Sequence, residues 1–296
     1  MTYFQPASPV LSKPPVDVEG ADARPRRAAP ALRSPTLILG VVVLVFWVFC
    51  AILGTHVVPF DPYADNVLST FTPPDSEHWF GTDQLGRDVF SRVIVGSRDI
   101  LTVAPLATVL GVGLGAVLGL LLGYVGGWFD ATVSRILDAL MALPLVVLAL
   151  MTLVAVGASN LGVILVIGFV YAPIVARTVR TAVYAQRELD YVSAARLSGA
   201  GPIVVMFREI LPNVRQPILI EAIVRLGYAF FTVATLSFLG LGIQPPSADW
   251  GLAIADGYVF LSGGLWWVVT FNGLAIISLV VATNLIAEGL GAFETR

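Results

Sequence analysis

Residues 190–213, DYVSAARLSGAGPIVVMFREILPN, form a polar interruption in a chain that is otherwise strongly apolar. The stretch carries four charged side chains and two prolines. Residues 190–197 are compatible with a helix that is polar on one face, and the small residues and proline at 199–202 would end it. Residues 203–211 form a second amphipathic run, followed by the Pro-Asn pair at 212–213. We predict a short helix, a glycine turn and a second helix that ends at residue 212.

The composition places this stretch in a membrane protein. Of the 296 residues, 57% are hydrophobic and 12% are charged, whereas about 25% of residues are charged in a typical soluble domain. The predicted fold class is an all-α integral membrane protein. The net charge of −3 gives no indication of nucleic-acid binding. Lys13 is the only lysine and lies in no phosphate-binding loop, so any ATP that drives this protein must be hydrolysed by another chain.

Charge-free intervals locate six predicted transmembrane helices, because a bilayer core needs about 20 apolar residues. The expected spans are 37–57, 101–123, 136–156, 161–176, 216–240 and 265–287. Residues 1–35 are expected to be a disordered tail, 58–100 an outer loop, and 101–296 the core that contains the polar loop 190–213. We expect Pro144 to kink the third span near its start.

The distribution of arginine predicts the orientation of these spans. The N-terminal tail has five basic residues, residues 177–215 contain six arginines, and the loops 157–160 and 242–264 contain no Lys or Arg. Both termini, the turn 124–135 and the segment 177–215 are therefore expected in the cytosol. The loop 58–100 is expected outside, with Arg92 and Arg98 on an interfacial helix that enters the second span.

Glycines recur every fourth residue in the second span, at Gly111, Gly115, Gly119 and Gly123. Such a stripe lets two helix backbones approach closely in lipid. It is consistent with an interface to another subunit and equally with packing inside the chain.

Candidate catalytic residues are lacking in the sequence. The two histidines belong to no metal-binding motif, no GxSxG is present, and Cys50 stands alone in an apolar run. Glu221 and Arg225 are the main charges inside a span, four residues apart on one helix face. They could line a polar translocation path, or they could form a structural pair near the cytosolic end of the helix.

Against this background, SAARLSGAG…ILPN at 193–213 resembles the EAA loop of ABC importer permeases. Ala194, Ala195, Gly199, Leu211 and Pro212 fit the spacing of that loop, whereas Ser193 and Glu209 depart from it. The segments 78–98, 123–130, 137–144, 239–251 and 266–276 also resemble the C-type permease subunit of dipeptide/oligopeptide importers. The likeness extends from about residue 36 to the C-terminus.

The resemblance implies one half of a heterodimeric type I ABC importer pore. Its expected partners are a homologous B-type permease, two ATPase subunits that use ATP and Mg, a solute-binding protein outside, and membrane lipid; this chain itself is expected to hold no cofactor or metal. The ATPase-coupling residues implied by the resemblance are Asp190, Ser193, Ala194, Ala195, Arg196, Gly199, Ala200, Gly201, Pro202, Leu211 and Pro212. Pro245, Pro246 and Trp250 are expected to contact the binding protein.

The resemblance implies dipeptides or oligopeptides as the substrate. The alternative is a related importer for nickel chelates, glutathione or haem. A self-sufficient secondary transporter is the alternative from a different class. It would transport without an ATPase, and it would be expected to show more charge at mid-membrane depth than Glu221 and Arg225 supply.

Overall fold

The computed structural model of the chain describes residues 35–291, which are largely helical and contain no β-strand. The α-helices are α1 (Pro35–Val57), α2 (Val89–Val125), α3 (Gly127–Met141), α4 (Leu145–Val156), α5 (Asn160–Arg187), α6 (Asp190–Leu197), α7 (Pro202–Val204), α8 (Leu211–Phe238), α9 (Trp250–Gly257) and α10 (Trp267–Gly291). The predicted tail lies outside the described residues, apart from Pro35. The predicted all-α membrane fold is confirmed.

Five helical stretches are long and apolar enough to cross a membrane, and a sixth span results if α3 and α4 are counted together. α3 and α4 are bent by 87° at the break between them. The predicted kink at Pro144 is confirmed, but the bend is sharper than a kink within one helix, and the helix before it begins at Gly127 instead of residue 136. Pro144 disfavours a helical conformation at the preceding residue, and it forms the N-cap of α4. The chain therefore ends one helix at Met141 and starts another at Leu145.

The second span is longer than its charge-free interval. α2 begins at Val89, where the Asp88 side chain accepts a hydrogen bond from the Ser91 N–H and caps the helix. Arg92 lies in the first turns of this same helix and is 3% exposed. The prediction that Arg92 lies on an interfacial helix is therefore wrong, because its guanidinium is buried among backbone carbonyls instead of lying at the lipid surface.

The glycine stripe of α2 packs against α5. A Cβ at Gly115 would lie 2.5 Å from the Cβ of Val175, and a Cβ at Gly119 would lie 2.6 Å from the carbonyl oxygen of Ala176. Gly111 and Gly123 approach α5 in the same way. The stripe therefore serves packing inside the chain, because all four positions are already filled by a helix of the same protein.

The helix that begins after the glycine turn continues without a break into a long apolar helix. α7, a π-helical segment (Val205–Ile210) and α8 form one helix over Pro202–Phe238. The predicted helix end at Pro212 is wrong. In the π-helical register the Leu211 N–H donates to the Met206 carbonyl, five residues back, and Pro212 has no N–H that a helix would require.

A compact cap covers one end of the bundle; we use this name for residues 58–88 and 239–266. Arg92 joins its two parts, since its guanidinium donates to the carbonyls of Pro62 at 2.9 Å and Ser247 at 3.2 Å. Trp267 also donates to the Thr82 carbonyl at 2.9 Å. α6 lies at the opposite end, which we call the α6 end.

Candidate functional site

The glycine turn after α6 is built by its sequence. Gly199 has φ +85°, a conformation that favours glycine, and its N–H donates to the Arg196 carbonyl at 3.0 Å. The Ala200 N–H donates to the Ala195 carbonyl at 3.1 Å. These two bonds form a Schellman motif that closes α6. Pro202 then begins the next helix, a position where its missing N–H costs nothing.

One side of this helix–turn–helix element is fixed to the bundle. Val192 is the buried residue of α6, and it packs in a cluster with residues of α2, α5 and the π-helical segment. The Tyr191 hydroxyl donates to Gln186 Oε1 at 2.9 Å, which ties α6 to the end of α5. The helix–turn–helix element is therefore held in a defined position on the bundle, unlike a free loop.

The other side of the element exposes large apolar side chains. Leu197 is 90% exposed and Ile203 is 70% exposed, one on each side of the glycine turn. Leu189, Val204 and Phe207 are also exposed nearby in sequence. An exposed apolar patch beside charged residues is typical of a surface that contacts another protein or a membrane. We call Leu189, Leu197, Ile203, Val204 and Phe207 the exposed apolar face.

The polar residues of the predicted coupling loop lie on the same element. Asp190 and Ser193 are exposed and three residues apart on α6, so they share one helix face. Ala194 is exposed and Ala195 is partly buried, and Gly201 and Pro202 lie exposed at the turn. Arg196 is exposed and places its guanidinium 5.1 Å from the ring centre of Tyr124. The structure thus brings Asp190–Pro202 together, whereas Leu211 and Pro212 lie further along the continuous helix.

Glu221 and Arg225 form an ion pair on α8, with Arg225 Nε 2.6 Å from Glu221 Oε1. The Arg225 guanidinium also lies 5.2 Å from the ring centre of Tyr228. An apolar groove of about 760 Å³ runs between α3–α4 and α5, and neither residue lines it. The geometry matches the structural pair, and a role in a translocation path stays a prediction.

The predicted contacts at the opposite end are only partly at the surface. Pro245 and Pro246, joined by a cis peptide bond, are exposed in the cap. Trp250 is completely buried, and its Nε1 donates to the Val93 carbonyl at 2.8 Å while its ring packs edge-on against Trp47. A surface role for Trp250 is therefore wrong, because an aromatic ring with a satisfied N–H is a core residue here.

The sequence analysis missed two buried aspartates of the cap, Asp88 and Asp249. Asp88 accepts hydrogen bonds from the Ser91 N–H and hydroxyl at 2.7 and 2.6 Å, and its other oxygen lies 2.9 Å from His78 Nδ1. Asp249 caps α9 through the Leu252 N–H at 2.9 Å, and burial raises its pKa to about 6. The helix-capping positions of both aspartates are the signal that could have identified them.

The family described as "Binding-protein-dependent transport system inner membrane component" matches residues 115–292. The dipeptide transport system permease protein DppC of Escherichia coli (strain K12) is 38% identical over 264 residues, which cover 87% of this chain and 88% of that protein. The DppC of Alkalihalophilus pseudofirmus is 34% identical over 280 residues, covering 94% and 92%. The di/tripeptide permease protein DppC of Pseudomonas aeruginosa (strain UCBPP-PA14) is 35% identical over 257 residues, covering 85% and 84%.

These matches span most of the chain, including the α6 element and both parts of the cap. They agree with the resemblance found in the motifs and with the all-α membrane bundle. The chain therefore belongs to the family of inner membrane components of binding-protein-dependent transport systems.

Proposed function

We propose that this chain forms half of the pore of an ATP-driven importer for dipeptides or oligopeptides. Family membership supports binding-protein-dependent transport, and the relatives named above are permeases for dipeptides or di- and tripeptides. The other half is a homologous B-type permease, which covers the apolar groove between α3–α4 and α5. Exposed apolar side chains on α1, such as Val45 and Ile52, contact membrane lipid.

The mechanism is supported by one observation, the way in which the α6 element is attached on one side and exposed on the other. Val192 holds it against the bundle while Leu197 and Ile203 project outward. Such a rigid, apolar protrusion suits a cleft in a partner protein. We infer that two ATPase subunits, which hold ATP and Mg, receive this element and its counterpart in the second permease. ATP-driven closure of the ATPases then moves the element and switches the access of the pore as a rigid-body transition.

Orientation follows from this assignment. α1 runs towards the cap and α10 runs away from it, so Pro35 and Gly291 both lie at the α6 end. If α6 meets the ATPases, both termini face the cytosol of a bacterial cell and the cap faces outward. Pro245 and Pro246 then contact the solute-binding protein, which delivers the substrate.

Reconstitution tests the proposal. This chain is placed in proteoliposomes with and without the second permease, the ATPases and the binding protein, and uptake of a labelled dipeptide is measured. Uptake that requires ATP and every partner supports the proposal. Uptake by this chain alone would establish a self-sufficient secondary transporter instead. Competition by a nickel chelate, glutathione or haem, without competition by peptides, would replace the peptide substrate by that compound.

A further inference from the structure

Helix α3 buries a carboxylate, that of Asp130, where it meets the bundle. Of the 15 described residues of α3, Asp130 is the only buried one, and it is 4% exposed. Three apolar side chains of the helix, Val133, Leu137 and Met141, are half-buried, whereas the large ones such as Trp128 and Ile136 are exposed. Most helices in proteins are held by apolar packing. In α3 the deepest contact is instead polar, so what Asp130 binds contributes strongly to the position of the helix.

Asp130 is held by four hydrogen bonds from three side chains. Arg180 of α5 grips both carboxylate oxygens, with Nε–Oδ1 at 2.5 Å and an Nη–Oδ2 distance of 2.6 Å. The Tyr184 hydroxyl donates to Oδ2 at 3.0 Å, and the Ser134 hydroxyl donates to Oδ1 at 3.2 Å. A bidentate arginine–carboxylate pair fixes direction as well as distance. α3 therefore follows α5 at this point.

The same cluster continues to α6. The Arg187 guanidinium lies 4.4 Å from the ring centre of Tyr184 and donates to the carbonyls of Gly123 at 3.1 Å and Tyr124 at 3.4 Å. These are carbonyls in the last turn of α2, where helix carbonyls lack partners and attract cations. On the other side, Arg196 of α6 lies over the Tyr124 ring. Alternating guanidinium groups and tyrosine rings thus join α6, α2, α5 and α3.

We propose that the Asp130–Arg180 pair is the joint that passes displacement of α6 to the α3–α4 arm. The proposal rests on the proposed function, because it takes ATPase docking at α6 as the source of the displacement. Asp130 and Arg180 are positioning residues, since they act through α3 and contact neither the ATPase nor the substrate. Breaking the pair separates ATP hydrolysis from substrate movement.

The test uses the complete transporter in proteoliposomes. Asp130→Asn keeps the shape of the side chain and removes its charge. Three quantities are measured: association with the ATPase subunits, ATP hydrolysis, and substrate taken up per ATP hydrolysed. We expect association to stay at the level of the unsubstituted chain, and uptake per ATP to fall about tenfold. Arg180→Lys, which keeps the charge and loses the bidentate grip, is expected to give a smaller fall. It also serves as the test if the asparagine variant is not recovered in the membrane.

Asp138→Asn is the matched control. It makes the same chemical change on the same helix at an exposed aspartate for which no ion pair occurs in the described part of the chain. The exchanged pair, Asp130→Arg with Arg180→Asp, is expected to recover part of the lost uptake per ATP, which a general loss of stability would not permit.

The outcomes separate this proposal from the proposed function. Unchanged uptake per ATP in both Asp130→Asn and Arg180→Lys, with the ATPases bound, overturns the joint. An equal fall in Asp138→Asn also overturns it, since the effect would then belong to any charge on α3. Failure of the unsubstituted chain to associate with the ATPases overturns the proposed function itself.

Discussion

Replacing Leu197 by alanine should weaken the binding of the ATPase subunits without disturbing the fold of this chain. The side chain is 90% exposed and so makes few contacts within its own protein. If the exposed apolar face enters a cleft of the ATPase, Leu197 becomes buried there. Burying a leucine side chain contributes about 1.5–3 kcal/mol, so its truncation should cost about 2 kcal/mol of binding free energy. Since about 1.4 kcal/mol corresponds to a tenfold change, we expect a Kd about 30-fold higher.

The assay is a titration of the permease pair in nanodiscs with purified ATPase, read as Kd by fluorescence anisotropy. Leu68→Ala provides the control, because Leu68 is 98% exposed but lies in the cap at the other end of the bundle. Its substitution should leave the Kd unchanged. A change of less than about threefold in Leu197→Ala, or an equal change in Leu68→Ala, would refute the docking argument.

Three further predictions concern the bundle and the cap. Gly115→Ala should lower the free energy of unfolding by roughly 1–3 kcal/mol, because its Cβ would lie 2.5 Å from a side chain of α5. Gly113→Ala is the control and should be tolerated, because a Cβ there meets nothing within 4 Å. Thermal unfolding in detergent compares the two variants. Asp249 has its folded-state pKa raised to about 6 by burial, so its ionisation opposes folding, and stability falls as pH rises from about 4 to 6. Asp249→Asn should remove this pH-dependent loss of stability, which amounts to roughly 3 kcal/mol. The melting temperatures of the variant and the unsubstituted protein are compared across this pH range, and the same pH dependence in both would contradict the prediction. Trp250→Phe loses the hydrogen bond to Val93 and should destabilise the cap by about 1 kcal/mol, with no change in binding-protein affinity.

The features that the sequence predicted well are local ones. Runs without charge mark helices that cross a bilayer because the cost of burying charge in lipid is large at every position. The turn after α6 was predictable for a similar reason, since Gly199 and Pro202 have backbone preferences that neighbours seldom override. The glycine stripe predicted a close helix contact but not its partner, because spacing carries no information about which helix faces it.

The predictions that failed depend on contacts distant in sequence. Arg92 is buried because the carbonyls of residues 62 and 247 accept hydrogen bonds from its guanidinium. Trp250 is buried because it donates a hydrogen bond to Val93 and packs against Trp47. Both partners lie too far along the chain for a local pattern to reveal them. The predicted helix end at Pro212 was wrong for a different reason. A π-helical segment before it lets the helix continue through a proline that local preference would place at a helix end.

The α2–α5 pair, the cap and α3 are each held in the bundle by a different kind of contact. These differences affect how a displacement could pass through the protein. α2 and α5 meet through glycines with no space between them, so they would have to move as one body. The cap is closed by buried hydrogen bonds from Arg92 and Trp267, which resist small shifts. α3 has only half-buried apolar contacts, and its one fully buried side chain is the carboxylate of Asp130. We therefore expect a force applied at α6 to turn the α2–α5 body as a unit, while α3, whose buried contact is the polar cluster around Asp130, is the helix with most freedom to shift against it.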